Sequence, residues 1–149
     1  MSRLNVGLGA FIFLISVSSC AHSALRQQDR ACFSSGCVNV EVVSKGEELI
    51  RGLQFRASLA DNEGMLFVFP ETSLHRFWMK DTLIPLDMIW FDDDKTVIFI
   101  QSHVPPCLKD PCLTYGPPKE SRYVLEVNAG YAEVLGIENG SKARFEIRP

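Results

Sequence analysis

Basic residues are in short supply: 15 Lys and Arg stand against 18 Asp and Glu, a net charge of −3, and nowhere do they gather into a stripe. That excludes the electrostatic footprint of a nucleic-acid binder, the more so because the aromatic residues sit among aliphatic ones and not among lysines. No apolar run reaches the about 20 residues that a helix needs to cross ~30 Å of hydrocarbon. No Gly-x-Ser-x-Gly elbow occurs, no nucleophile stands in a recognisable set with a base, and there is neither an internal repeat nor a low-complexity tract. Nothing in this inventory asks for a metal or a cofactor, and none is expected.

What is present begins at the N-terminus. Val6 to Val17 is apolar, carries only Arg3 before it, and leads into Val17-Ser18-Ser19-Cys20. The arrangement resembles the lipobox of a bacterial lipoprotein signal peptide, whose small residues give a peptidase access to the bond before the cysteine. The resemblance implies that residues 1–19 are removed and that Cys20 is lipidated, becoming the new N-terminus. Cleavage near Ala21 or Ala24 to give a soluble secreted protein, and an uncleaved anchor, are the competing readings. Ala21 is not the aspartate that holds many lipoproteins in the inner membrane, so the expected address is the cell envelope, facing the periplasm from the outer membrane.

The expected organisation is residues 1–19 as signal peptide, 20–37 as lipidated N-terminus and tether with a local disulfide, and 38–149 as one β-rich domain. The chain beyond Cys20 is the size of a single domain and long enough to bury a core. Ala21 to Arg30 is polar and aperiodic, a tether reaching at most ~35 Å at about 3.5 Å per residue.

Of five cysteines, four lie beyond Cys20: Cys32 with Cys37, and Cys107 with Cys112, each pair enclosing four residues of turn character. Two local disulfides are expected for an exported chain. A metal site using both pairs and His103 is the rival, disfavoured by the spacing and by the oxidising compartment. Cross-pairing such as Cys32 with Cys107 stays open.

Val38 to Val43 alternates apolar and polar residues, the period of a half-buried strand. Ser44 stands three before Glu47, which predicts a capped helix running to about Phe55 with Leu49, Leu53 and Ile50 as its stripe. Met65 to Phe69 reads as a core strand stopped by Pro70. His75 to Lys80 and Leu86 to Phe91 are expected to pair antiparallel with Lys80 opposite Asp87, followed by a strand over Thr96 to Gln101. Arg122 to Val127 is another strand, Asn128 should cap a short helix through Leu135, and Ser141 to Ile147 ends the fold. Strands apolar on both faces point to a mainly β domain, a compact β-sandwich or barrel-like form with one or two short helices.

Four segments in order, Arg51-Gly52-Leu53-Gln54-Phe55-Arg56, Gly64 to Pro70, Phe77 to Thr82 with Pro85 to Met88, and Tyr123 to Gly130, resemble the domain of unknown function 192 family over about residues 38 to 148. The resemblance implies a compact, mainly β fold, often exported, and carries no activity with it. Gln54 stands where methionine is common in that family, and Asp81 where asparagine is common.

Charged residues set in apolar sequence must be paired or serve a purpose. Lys80, Asp81, Asp87, Glu126 and either Arg51 or Arg56 fit a structural ion-pair network. That is the favoured reading of these residues; the sharper alternative is a polar patch at the mouth of an apolar cleft, with Trp78 as a platform, gripping a small ligand or an envelope protein. Asp87 and Glu126 as paired carboxylates would suit an enzyme acting on polysaccharide. His75 and His103 read as surface or loop-pinning residues, and Met65, Met79 and Met88 as core. The leading expectation is a membrane-anchored ligand- or partner-binding accessory module; whether it is also an enzyme is left open by the sequence.

Overall fold

A computed structural model describes residues 28–148. The lipobox and Cys20 lie outside the described residues. The element order is β1 (Arg30–Cys32), β2 (Cys37–Val43), α1 (Gly46–Arg51), β3 (Glu63–Ser73), β4 (Phe77–Trp78), β5 (Leu86–Phe91), β6 (Val97–Val104), β7 (Thr114–Tyr115), β8 (Ser121–Asn128), α2 (Tyr131–Val134) and β9 (Arg144–Glu146). Seven strands form one mixed sheet in the order β6-β5-β8-β3-β2-β1-β9, and β4 pairs with β7 as a small second sheet. The domain is mainly β with two short helices, as its sequence indicates.

Among the paired strands of the described residues, only β2 and β3 run parallel. A parallel pair cannot be joined by a tight turn, so the chain between them must cross over one face of the sheet, and α1 lies in that crossover. The sheet curls until its ends touch at one antiparallel bridge, Thr96 with Lys142, flanked by backbone bonds from Ala143 to Lys95 at 2.9 Å and from Val97 to Ser141 at 2.9 Å. It is not a closed barrel.

Because strand side chains alternate, the sheet carries two cores. Val38, Val40, Leu66, Ile89, Phe91, Leu125 and Val127 face one way and are covered by α2 and the residues after it. Met65, Phe67, Met88, Trp90 and Val124 face the other way and are covered by Leu53, Met79 and the segments around α1, β4 and β7. β5 is buried along its whole length, lying between β6 and β8 with a core on each side.

Both disulfides join the local pairs. Cys32 and Cys37 are register partners of the β1–β2 hairpin, with α-carbons 4.0 Å apart, and Cys107–Cys112 closes the loop before β7 at 5.7 Å.

Several local expectations are corrected. The segment taken as tether is built into the fold at its end: Arg30 begins β1, which lies between β2 and β9, and both carboxylate oxygens of Asp29 bind Arg148. α1 is shorter than expected, is preceded by Lys45 with no side-chain cap, and ends at Gly52; Ile50 is exposed, while Leu53 is buried beyond the helix end. Pro70 does not stop β3, which continues through a register shift between Val68 and Ser73 where a missing N–H does no harm.

The hairpin of His75 to Lys80 with β5 does not form. β4 pairs with β7, Phe77 to Tyr115 and Trp78 to Thr114, and β5 takes β6 and β8 as its neighbours. The cause is long range: the loop containing Cys107 and Cys112 returns to β4, and Cys107 donates its backbone N–H to the carbonyl of Met79 at 3.1 Å. Asn128 does not cap α2 either; its amide donates to the carbonyl oxygens of Leu59 and Ala60.

Candidate functional site

The α1 crossover leaves a cleft of ≈ 310 Å³ between the helix end, the aromatic half of β3 and the segment entering β4. That is the lower end of the size range of small-molecule sites. The wall next to α1 comes from Leu49, Arg51 and the Gly52-Leu53-Gln54 turn. Phe67, Phe69 and Phe77 form the apolar wall opposite, their rings meeting edge to face: Phe67 with Phe77 at 4.8 Å, Phe69 with Phe77 at 6.2 Å. Trp90 holds this wall in place, since its indole donates to the carbonyl of His75 at 2.9 Å and its ring packs on Phe77 at 5.8 Å.

Gly52 lets the helix end come close. Its φ of +47° is one that side chains rarely adopt, and a β-carbon there would lie 3.1 Å from Cζ of Phe67 and 3.9 Å from Oε2 of Glu126.

Glu126 lines the cleft from β8. Met65 and Met88 are its register partners on either side, so its side chain leaves the sheet between two buried methionines. It is 4% exposed and has no hydrogen-bond or ion-pair partner among the described residues. Burial pushes its carboxyl up from 4.5 to about 8, so the protonated acid dominates at neutral pH.

Cations stand at the mouth. Arg51 and Arg76 both line the cleft, and neither meets a carboxylate among the described residues; Arg30, Arg56, Lys80, Arg144 and Arg148 do, while Lys45, Lys95, Lys109, Lys119, Arg122 and Lys142 likewise do not. Arg76 donates only a long bond of 3.4 Å to the carbonyl of Gly116. Trp78 is 44% exposed, and the side chains of Ile50 and Leu74 are exposed too.

Of the residues singled out in sequence, the cleft gathers Arg51, Trp78 and Glu126. Arg56 pairs with Glu41 outside it. Lys80 pairs with Asp110 at 3.1 Å and passes over the Trp78 ring at 5.7 Å, so it does not meet Asp87. Asp81 takes a left-handed conformation, φ 57°, and its carbonyl accepts the Phe55 N–H. Asparagine tolerates that conformation well, which accounts for its being common there in the resembling family.

Asp87 lies on the opposite face from Glu126 and is fully buried. One oxygen accepts the His103 N–H at 2.8 Å and the other the Ala132 N–H at 3.0 Å, so Asp87 ties the end of β6 to the first turn of α2. Asp87 and Glu126 therefore cannot flank one glycosidic bond, and the paired-carboxylate arrangement is corrected by this geometry. Sequence reasoning missed Gly52 as the close approach, Arg76, and the aromatic wall, whose phenylalanines were indistinguishable from core.

Comparison with known proteins gives three findings. The sequence profile of the family DUF192, described as "Uncharacterized ACR", matches residues 30–145. A UPF0127 protein of Pyrococcus abyssi is 29% identical over 86 residues, 54% of this chain and 66% of that protein. Two crystal structures are similar in fold. One, of a candidate transcription regulator from Sinorhizobium meliloti 1021, has a TM-score of 0.71 and 31% identity, covering 79% of this chain and 92% of the other. The second, of a protein of unknown function from Novosphingobium aromaticivorans DSM 12444, has a TM-score of 0.70 and 32% identity, covering 78% and 83%.

Proposed function

The chain belongs to the DUF192 family, which has no assigned activity, and from that premise we propose that it is a lipid-anchored binding module of the cell envelope that takes a small ligand in the cleft beneath α1. The carrying observation is Glu126. A buried acid without a partner destabilises the fold it sits in, and such a group is retained where a ligand uses it. The aromatic wall supplies apolar contact, and the exposed Trp78 supplies a platform at the entrance.

The address rests on the N-terminal segment: a short apolar run, two small residues and Cys20. Lipid on Cys20 would supply the membrane affinity. The Sinorhizobium protein is described as a candidate transcription regulator; for this chain, a net charge of −3 gives direct DNA binding no support. An envelope enzyme acting on polysaccharide retains one carboxyl in the cleft and lacks the second.

Two experiments test the reading. Native mass spectrometry of the protein isolated from envelope extract should show a non-covalent small-molecule adduct, and Glu126→Leu should be at least as stable yet lose it. A wild-type protein with no adduct, or an adduct kept by the leucine variant, rejects the cleft as the binding site. Cys20→Ser should yield an uncleaved or soluble form without acyl groups; a mature N-terminus elsewhere, free of lipid, rejects the anchor.

A further inference from the structure

Among the described residues eight cationic side chains meet no carboxylate, and two of these, Arg51 and Arg76, line the same cleft. Arg51 projects from the end of α1 and Arg76 from the segment entering β4, so the two flank one opening from different elements. Behind them the cleft is walled by Phe67, Phe69 and Phe77, and its far polar group is the unpartnered Glu126. From this arrangement we propose that the ligand is a small amphiphilic anion, with a carboxylate head between Arg51 and Arg76 and an apolar body of ring or short-chain size reaching toward Glu126. The assignment rests on the reading of the cleft as a ligand site and goes beyond it by fixing the charge and shape of the ligand.

The two guanidiniums are the reason for choosing an anion. A carboxylate head meets two planar donor groups that can each bind it through a pair of N–H bonds, at a mouth where no protein carboxylate competes. A cationic ligand would meet aromatic faces, which favour it, but would have to enter past both arginines and then draw a proton from a buried acid. An uncharged ligand would leave both arginines without a role. At neutral pH the protonated Glu126 does not repel an anion, and it offers one O–H donor and one acceptor to a polar atom on the ligand body.

Isothermal titration at pH 7 with three probes of one shape, 4-phenylbutyrate, 4-phenylbutylamine and 4-phenylbutanol, tests the proposal. The carboxylate should bind at least about tenfold more tightly than either of the others, a difference of roughly 1.4 kcal/mol. Arg51→Gln with Arg76→Gln should remove that preference while the melting temperature stays unchanged, both residues lying at the rim. The titratable and charged groups that face the cleft are Arg51 from α1, His75 and Arg76 before β4, and Glu126 from β8. Raising the pH from 7 to 9 should weaken 4-phenylbutyrate binding in the wild type, because ionised Glu126 then faces the anion. Glu126→Gln should lose the pH effect, its affinity at pH 9 matching its own affinity at pH 7. Preference for the amine, equal binding of all three, or a preference surviving the double arginine change each overturns the proposal. Failure of all three probes while the envelope adduct persists overturns the anion and leaves the cleft standing; failure of both rejects the cleft as well.

Discussion

Asp87 and Glu126 are two buried acids on neighbouring strands, one residue apart in register, and they have opposite circumstances. Met88 is the register partner of Glu126, and Val127 that of Asp87. The single step moves one carboxyl to the α2 face and the other to the α1 face. Asp87 receives one backbone N–H on each oxygen. Glu126 receives none among the described residues and is held toward its neutral form. Burial alone therefore says little about what an acid is for; the accounting of its partners separates a structural acid from a group left open to a ligand.

The widest separation between the two should come from removing the satisfied acid. Asp87→Ala leaves one buried and one half-buried N–H group without an acceptor and should cost about 3–5 kcal/mol in denaturant unfolding at pH 7. A cost under about 1 kcal/mol would mean that Asp87 is not the tie between β6 and α2. Glu126 should show the opposite behaviour, through pH. Its folded value is raised, so the stability that accompanies its bound proton is fully present below about 4.5 and is lost as pH rises through about 8. Glu126→Gln should flatten that decline and exceed the wild type at pH 8 by about 2 kcal/mol, below the limit of about 1.4 kcal/mol for each pH unit because water enters through the cleft. Parallel unfolding curves for wild type and variant across pH 5 to 8 would contradict this.

Gly52→Ala probes the approach of the helix end to Glu126. With φ at +47° and Phe67 at 3.1 Å, the added carbon should cost about 1–2 kcal/mol and reduce ligand uptake, read by thermal melts and titration together. The smallest effect belongs to Lys80. Its pairing with Asp110 is open to solvent, so Lys80→Met should change stability by less than about 1 kcal/mol. Combined with Asp87→Ala it should be additive, because the two residues share no partner; a coupling above about 0.5 kcal/mol would return Lys80 to the neighbourhood of Asp87.

The strands were legible because their physics is local. Val38 to Val43 alternates and forms β2; Tyr123 to Val127 is apolar at every position but Glu126 and lies inside the sheet. The partner of β4 was not legible, since nothing in Phe77 and Trp78 says that a loop some thirty-five residues later, held by Cys107 and Cys112, will come back to them. Helix capping failed for a related reason: the acceptor serving α2 is Asp87, far away in sequence, where a local reading looks to Asn128. In the site, Arg51, Trp78 and Glu126 stood out as charged or exposed-prone residues in apolar surroundings. Arg76 passed unnoticed because it lies beside a strand end where a solvated arginine is ordinary. Phe67, Phe69 and Phe77 passed because a phenylalanine lining a cleft and one filling a core are the same letter.

β1 completes one of its two edges with β9, and Arg30 and Glu146, 116 positions apart, close that edge with an ion pair. During synthesis β1 therefore waits, one side bare, until residues 116 positions further on have emerged. Among the described residues nothing earlier takes that place in the strand order. The domain finishes as a whole or leaves an open edge, the kind of surface on which strands of other chains add. Contacts spanning so much of the chain make for slow assembly, and they also make β9 a proofreading mark: a copy interrupted before Arg144 exposes its own incompleteness as an unfilled row of hydrogen bonds.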